Sequence, residues 1–197
     1  MKTGTLALIV IVALVLILGG CGCGKYNSLV KSDQTVQNAW SNVETNYQRR
    51  NDLYNSVVKT IEGSANFEKG TLKEVVEARS RATQIQVNTS DPKSLEQFQA
   101  AQGQVQSSFS RLLANVEAYP ELKTTTAFQN FQTQIEGTEN RINVARRDYN
   151  TAVNEYNLAV KTFPNNLYAG MFGFHPKAYY QADPGANKNP DINFNIK

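Results

Sequence analysis

Apolar positions between residues 126 and 163 recur at alternating steps of three and four without a break. They are Phe128, Phe131, Ile135, Thr138, Ile142, Ala145, Tyr149, Ala152, Tyr156, Ala159 and Phe163. A period near 3.5 keeps one stripe turned toward neighbouring helices, so the spacing predicts a helix of about 38 residues, roughly 57 Å long. Thr126 with Gln129 resembles a capping box at its start, and Pro164 closes it. A second seam runs through Asp33, Val36, Trp40, Val43, Tyr47, Arg50, Tyr54, Val57 and Ile61, with Leu53 and Val58 widening it, and ends near Gly63. Asp33 and Arg50 lie on or beside this stripe, where each needs a partner. A third seam joins Leu95, Phe98, Gln102, Val105, Phe109, Leu112, Val116 and Tyr119, opened by Asp91-Pro92 and ended by Pro120. The stretch from Ser64 to Val87 is more weakly patterned, and Gly63 to Asn66 marks a reversal before it.

These elements, at about 26–63, 66–87, 91–119 and 126–163, predict an all-α protein: an antiparallel four-helix bundle with long first and last helices, spanning 25–163. Residues 164–180 hold Tyr168, Met171, Phe172, Phe174, Tyr179 and Tyr180 around Gly170, Gly173 and Pro176. This segment is expected to form an aromatic cap over one bundle end, or to offer Tyr168, Phe172 and Phe174 as a partner surface. From Gln181 to Lys197 the composition is that of a flexible tail.

The N-terminus changes the picture. From Thr3 to Gly24 no residue is charged, and Leu6 to Leu18 is continuously apolar between Lys2 and Lys25. Residues 1–24 therefore read as a hydrophobic membrane anchor or as a secretory signal. Leu18-Gly19-Gly20-Cys21 resembles the lipobox of bacterial lipoproteins, in which the cysteine is diacylated and becomes the new N-terminus. Lipidation at Cys21 points to an extracytoplasmic lipoprotein; an uncleaved helix gives a single-pass membrane protein. Lysines on both sides of the apolar run leave the orientation open.

Composition removes several function classes. The 197 residues carry a net charge of +3, too little for a nucleic-acid binder, which needs a concentrated basic face. Cys21 and Cys23, the only cysteines, are poorly placed for a disulfide or a four-ligand metal site. One histidine, His175, cannot supply the two Glu-x-x-His motifs of a di-iron bundle. Phosphate-loop, nucleophile-elbow and zinc-hydrolase motifs are missing from the sequence. The chain is expected to be no enzyme, with no cofactor and no metal. Its polar seam residues, Arg50, Glu68, Arg79, Glu117, Glu139, Arg141 and Arg146, either fix helix register or line a polar slot, for which Arg50, Glu139 and Arg141 are the candidates.

Several strings occur together in order: Tyr26-Asn27-Ser28-Leu29-Val30, Ala39-Trp40-Ser41, Gln48-Arg49-Arg50-Asn51-Asp52-Leu53, Tyr119-Pro120-Glu121-Leu122-Lys123, Thr138-Glu139-Asn140-Arg141-Ile142 and Ala145-Arg146-Arg147-Asp148-Tyr149-Asn150. With Phe163-Pro164 and Pro190-Asp191-Ile192-Asn193-Phe194 they resemble the LemA family along nearly the whole chain from Tyr26. The resemblance implies a bacterial four-helix bundle behind an N-terminal membrane segment, with no established enzymatic activity. It also implies a TPM-domain protein as a candidate partner. The expectation is thus a membrane-tethered interaction or scaffold module, the alternative a small-ligand or metal-ion sensor built on the polar slot.

Overall fold

The computed structural model describes residues 3–63 and 69–182; the side chains of residues 3, 5–11, 13–23 and 123 lie outside that description. The reversal expected at Gly63 to Asn66, Glu68, the lipid site Cys21 and the tail beyond Ala182 fall wholly or partly outside the described residues. The described chain is all-helical. Its elements are α1 (Thr3–Glu62), α2 (Lys69–Thr83), α3 (Pro92–Val116), α4 (Pro120–Lys123), α5 (Thr126–Lys161) and α6 (Asn165–Phe172).

α1 is continuous from the apolar run into the core seam, 60 residues in all. The sequence reading separates a segment at 1–24 from a helix at 26–63, but no proline interrupts the intervening Gly19-Gly20-Cys21-Gly22-Cys23-Gly24. Glycine weakens a helix by about 1 kcal/mol per residue relative to alanine, yet it keeps its backbone donor, so the hydrogen-bond ladder passes through. Among the described residues, no helix is long and apolar enough to cross a membrane.

The expected stripe of α1 is buried from Leu29 through Val36, Trp40, Val43, Tyr47, Arg50, Tyr54, Val57 and Ile61. The stripe of α5 holds its register and widens toward the end of the helix. It is buried as expected at Phe128, Thr138, Ile142, Ala145, Tyr149, Ala152 and Tyr156, but near its end Val153, Asn157 and Val160 are buried as well, while Phe163 is 76% exposed. A straight α-helix turns by about 20° per heptad away from a strict 3.5 repeat, about one residue over five heptads, which brings the next residue along onto the buried face beside the original stripe. The helix also stops at Lys161, and extended Thr162 (ψ 137°) carries Phe163 off the stripe.

Two apolar clusters result. One gathers Leu29 to Tyr47 of α1, Leu95 and Phe98 of α3, Ile142 to Val160 of α5, Ala169 of α6 and Tyr180. Trp40 sits edge-on to Phe98 and Tyr149, with centroids 5.3 and 5.2 Å away. The other gathers Tyr54 to Ile61 of α1, Leu72 to Ala82 of α2, Val105 to Val116 of α3 and Phe128 of α5. Between the two clusters lies a polar layer centred on Arg50.

Local signals explain the ends. Asp91 caps α3 by accepting from Lys93 N at 3.0 Å, with Pro92 in the first turn. α3 ends at Val116, before Pro120, and Pro120 instead opens α4, where its missing donor is not needed. The cap of α5 is Thr125, one residue before the expected Thr126: its hydroxyl accepts from Phe128 N at 3.3 Å. α6 closes on Gly173 at φ 75°, a left-handed conformation that favours glycine, and Phe174 N returns to Ala169 O at 2.9 Å. That reversal sends residues 174–182 back along α5.

Candidate functional site

Arg50 has no exposed surface, so its guanidinium is matched from within the protein at Nη1 and Nη2, while Nε has no hydrogen-bond partner. Its position in the α1 stripe, four residues before Tyr54 and three after Tyr47, sandwiches the cation between two aromatic rings. The guanidinium carbon is 4.7 Å from the Tyr47 centroid and 5.7 Å from that of Tyr54. Nη2 donates to Gln102 Oε1 at 2.7 Å and to the Gln102 carbonyl at 3.2 Å; Nη1 donates to Glu139 Oε1 at 3.3 Å. Tyr54 Oη donates to the same Glu139 oxygen at 3.4 Å. One cation therefore ties α1 to α3 and α5. Tyr54 titrates above its ordinary value, chiefly because it is buried; the Arg50 charge opposes this and Glu139 reinforces it.

Arg141, expected in the same slot, is exposed. Two residues beyond Glu139 is a rotation of about 200° around the helix, which puts it on the other side of α5. The place of a second arginine is taken by Arg146, whose Nε donates to Tyr47 Oη at 3.0 Å while Nη2 makes a further short bond to the same oxygen. Arg146 also lies over the Tyr180 ring at 4.6 Å, and the hydroxyls of Tyr47 and Tyr180 are 2.6 Å apart. Arg79 pairs loosely with Asp52 at 3.8 Å, and Glu117 serves as the C-cap of α3. Beside this layer, α1, α2 and α3 border a cleft of about 370 Å³ that Tyr47, Asn51, Arg79, Phe98 and Gln102 help to line.

A second polar assembly was not foreseen from the sequence. Residues 177–180 run in extended form antiparallel to α5, and two asparagines on that helix clasp their backbone. Asn157 donates to the Lys177 carbonyl at 2.9 Å and accepts from Lys177 N at 2.7 Å. Asn150 treats Tyr180 the same way, at 2.9 and 2.8 Å. Seven helical residues cover about 10.5 Å and three extended residues about 10 Å, so the two spacings match. Between the clasps, Tyr149 Oη donates to the Ala178 carbonyl at 2.9 Å, and Ala178 N donates to the Thr89 carbonyl at 2.9 Å. Burial raises the Tyr149 phenol above its ordinary pKa.

The same strap supplies the partner that Asp33 requires. Buried Lys177 places Nζ 2.9 Å from Asp33 Oδ1 and 3.3 Å from Thr89 Oγ1, with the Tyr156 ring at 5.4 Å. Burial, aided by the Asp33 charge, pushes the Tyr156 phenol up to about 12. Asn150 and Asn157 could have been read as an i, i+7 pair beside the α5 stripe, but nothing in residues 177–180 marks an extended strand.

The three residues expected as a partner surface separate. Phe174 is half-buried on the core beside Tyr26, at 5.8 Å between centroids, and Tyr168 is half-buried. Phe172 packs edge-on to Tyr26 at 4.9 Å yet remains 48% exposed. His175 is exposed.

Comparison with known proteins gives a consistent result. A model of the LemA family matches residues 39–194. Protein LemA of Metamycoplasma hominis is 28% identical over 159 residues, covering 81% of this chain and 70% of the relative. Magnetosome protein MamQ 2 of Paramagnetospirillum magneticum is 26% identical over 182 residues, covering 83% and 67%. Magnetosome protein MamQ of Magnetospirillum gryphiswaldense is 23% identical over the same length and shares.

Proposed function

The chain belongs to the LemA family, and on that premise we propose that it is a membrane-tethered, non-enzymatic interaction module. In this reading α1, α2, α3 and α5 form an antiparallel four-helix bundle held at a bilayer by the N-terminal part of α1. The observation that carries it is the continuity of α1, which joins the apolar run Leu6 to Leu18 and the core stripe Leu29 to Ile61 in one helix. A helix of this kind is a stiff mast: it fixes the height and tilt of everything packed on it relative to the tether. The tether is either the spanning segment itself or a diacylated Cys21, in which case the run before it is cleaved away, the mast begins at the lipid and the bundle lies outside the cytoplasm.

The polar groups of the core support binding over turnover. Arg50 is consumed by Gln102, Glu139 and two aromatic rings, and the pair Lys177–Asp33 by the strap, so these charges act on the protein's own helices. The relatives named as magnetosome proteins support a place in a larger assembly. The partner is then a membrane or envelope protein, with a TPM-domain protein as one candidate. Crosslinking in intact cells, followed by isolation in detergent, tests the reading. Reproducible capture of one membrane or envelope protein supports it; a chain that crosslinks to nothing in its native membrane, yet turns over a substrate in purified form, overturns it.

A further inference from the structure

The end of the molecule nearest the apolar run exposes large apolar side chains that the core does not use. Phe163 is 76% exposed, Leu167 59% and Met171 77%, and Phe172 adds its outer edge. Leu167 and Met171 stand four residues apart on α6, on one face of that helix. The opposite face seats Ala169 in the core, and Phe172 and Phe174 close on Tyr26, so α6 is locked in place.

Position decides what covers this face. Tyr26 lies eight residues beyond Leu18, about 12 Å along α1, and five beyond Cys21, about 7.5 Å. Either tether therefore sets α6 at the height of lipid headgroups, where aromatic and amphipathic groups accumulate. Exposed Lys25, on α1, and Lys161, the last residue of α5, flank the same end and suit the phosphates of anionic lipids. The far end carries no matching group: α2 and α4 show Val76 as their only large exposed apolar residue among the described ones.

We propose that α6 and Phe163 form a second, interfacial contact with the lipid surface, inserting Phe163, Leu167 and Met171 among the headgroups beside the tether. This rests on the membrane-tethered reading and deepens it. With one tether the mast and bundle can lean together against the bilayer; with a second contact beside it they stand at a fixed tilt, and the Arg50 layer and its neighbouring cleft are held at a set distance from the bilayer.

The test uses the full chain reconstituted in vesicles of phosphatidylcholine and phosphatidylglycerol, with a tryptophan as depth probe. Native Trp40, 22 residues beyond Leu18 and about 33 Å along the helix, serves as an internal reference. Met171→Trp adds emission that shifts to the blue and is quenched by lipids brominated near the headgroup end of their chains. Trp40 in the unaltered chain and an added Val76→Trp stay unquenched in the same vesicles. If the protein remains in the vesicles after alkaline carbonate but Met171→Trp is not quenched, the interfacial contact is wrong and the tether stands. Quenching of Val76→Trp to the same degree also overturns it, since the bundle then lies flat. If the unaltered chain is itself washed off, the tethered reading fails and the contact with it.

Discussion

The Arg50 layer and the strap clasp solve the same problem with different chemistry. Both place polar groups inside a helical core; the clasp pairs both backbone groups of Lys177 and Tyr180, while in the Arg50 layer Nη1 and Nη2 are paired and Nε has no hydrogen-bond partner. The Arg50 layer does so with a charge: one guanidinium reaches α3 and α5, and its loss strands Gln102 and leaves Glu139 with only the Tyr54 hydroxyl. The clasp does so with neutral amides that satisfy a backbone which no sheet or helix claims. A buried charge sets which helices meet and at what register, and is costly to break. A carboxamide clasp reads only the spacing of a chain, so it fixes a segment without adding register information.

Four changes separate these roles. The largest effect is expected from Arg50→Ala, which removes a fully buried cation and leaves its partners unmet; a loss of ~3–5 kcal/mol in urea unfolding is expected. A loss below 1 kcal/mol would mean that the layer is not a register lock. Asn157→Ala and Asn150→Ala each orphan a donor and an acceptor of the strap and are expected to cost about 1–3 kcal/mol. Because both hold one segment, the double variant should cost less than the sum of the singles, whereas Arg50→Ala and Asn157→Ala should add. Simple additivity of the two asparagine changes would show that the strap is held elsewhere. Amide exchange at Lys177 and Tyr180 should rise sharply in either asparagine variant, and hardly at all in a smaller change such as Glu139→Gln. That substitution keeps the hydrogen-bonding shape at a partly exposed site and should cost only about 1 kcal/mol.

Alkaline pH offers a test without mutation. Tyr54, Tyr149 and Tyr156 are all raised above the ordinary tyrosine value by burial. An unfolded phenol ionises near pH 10, while these stay neutral in the fold. Their stabilising contribution is therefore complete below about pH 10 and is lost as the pH climbs toward the folded values, at ~1.4 kcal/mol per pH unit for each phenol. Stability that is flat from pH 9 to 11.5, with early ionisation of all nine tyrosines, would contradict their burial.

The sequence made the two assemblies unequally visible. Arg50 stands inside a seam of apolar residues, and a charge at such a position demands a partner, so its pairing with Glu139 was legible. Arg141 misled because nearness in sequence to Glu139 is not nearness on a helix. The widening of the α5 stripe onto Val153, Asn157 and Val160 was hidden for a related reason: an ideal heptad reading ignores an offset of about one residue over five repeats. The strap left almost no trace, since extended chain with no partner strand has no periodicity, and the asparagines that hold it look like ordinary polar residues beside a seam. Lys177 shows the same limit: its partner Asp33 is 144 residues away, and only the fold brings them together.

The most direct test of the tethered reading is alkaline carbonate extraction of native membranes followed by intact mass of the retained protein. The account predicts retention, with a mass that either begins at a diacylated Cys21 or includes the full chain from Met1. Release of the protein into the carbonate wash, as an unmodified chain, would contradict it.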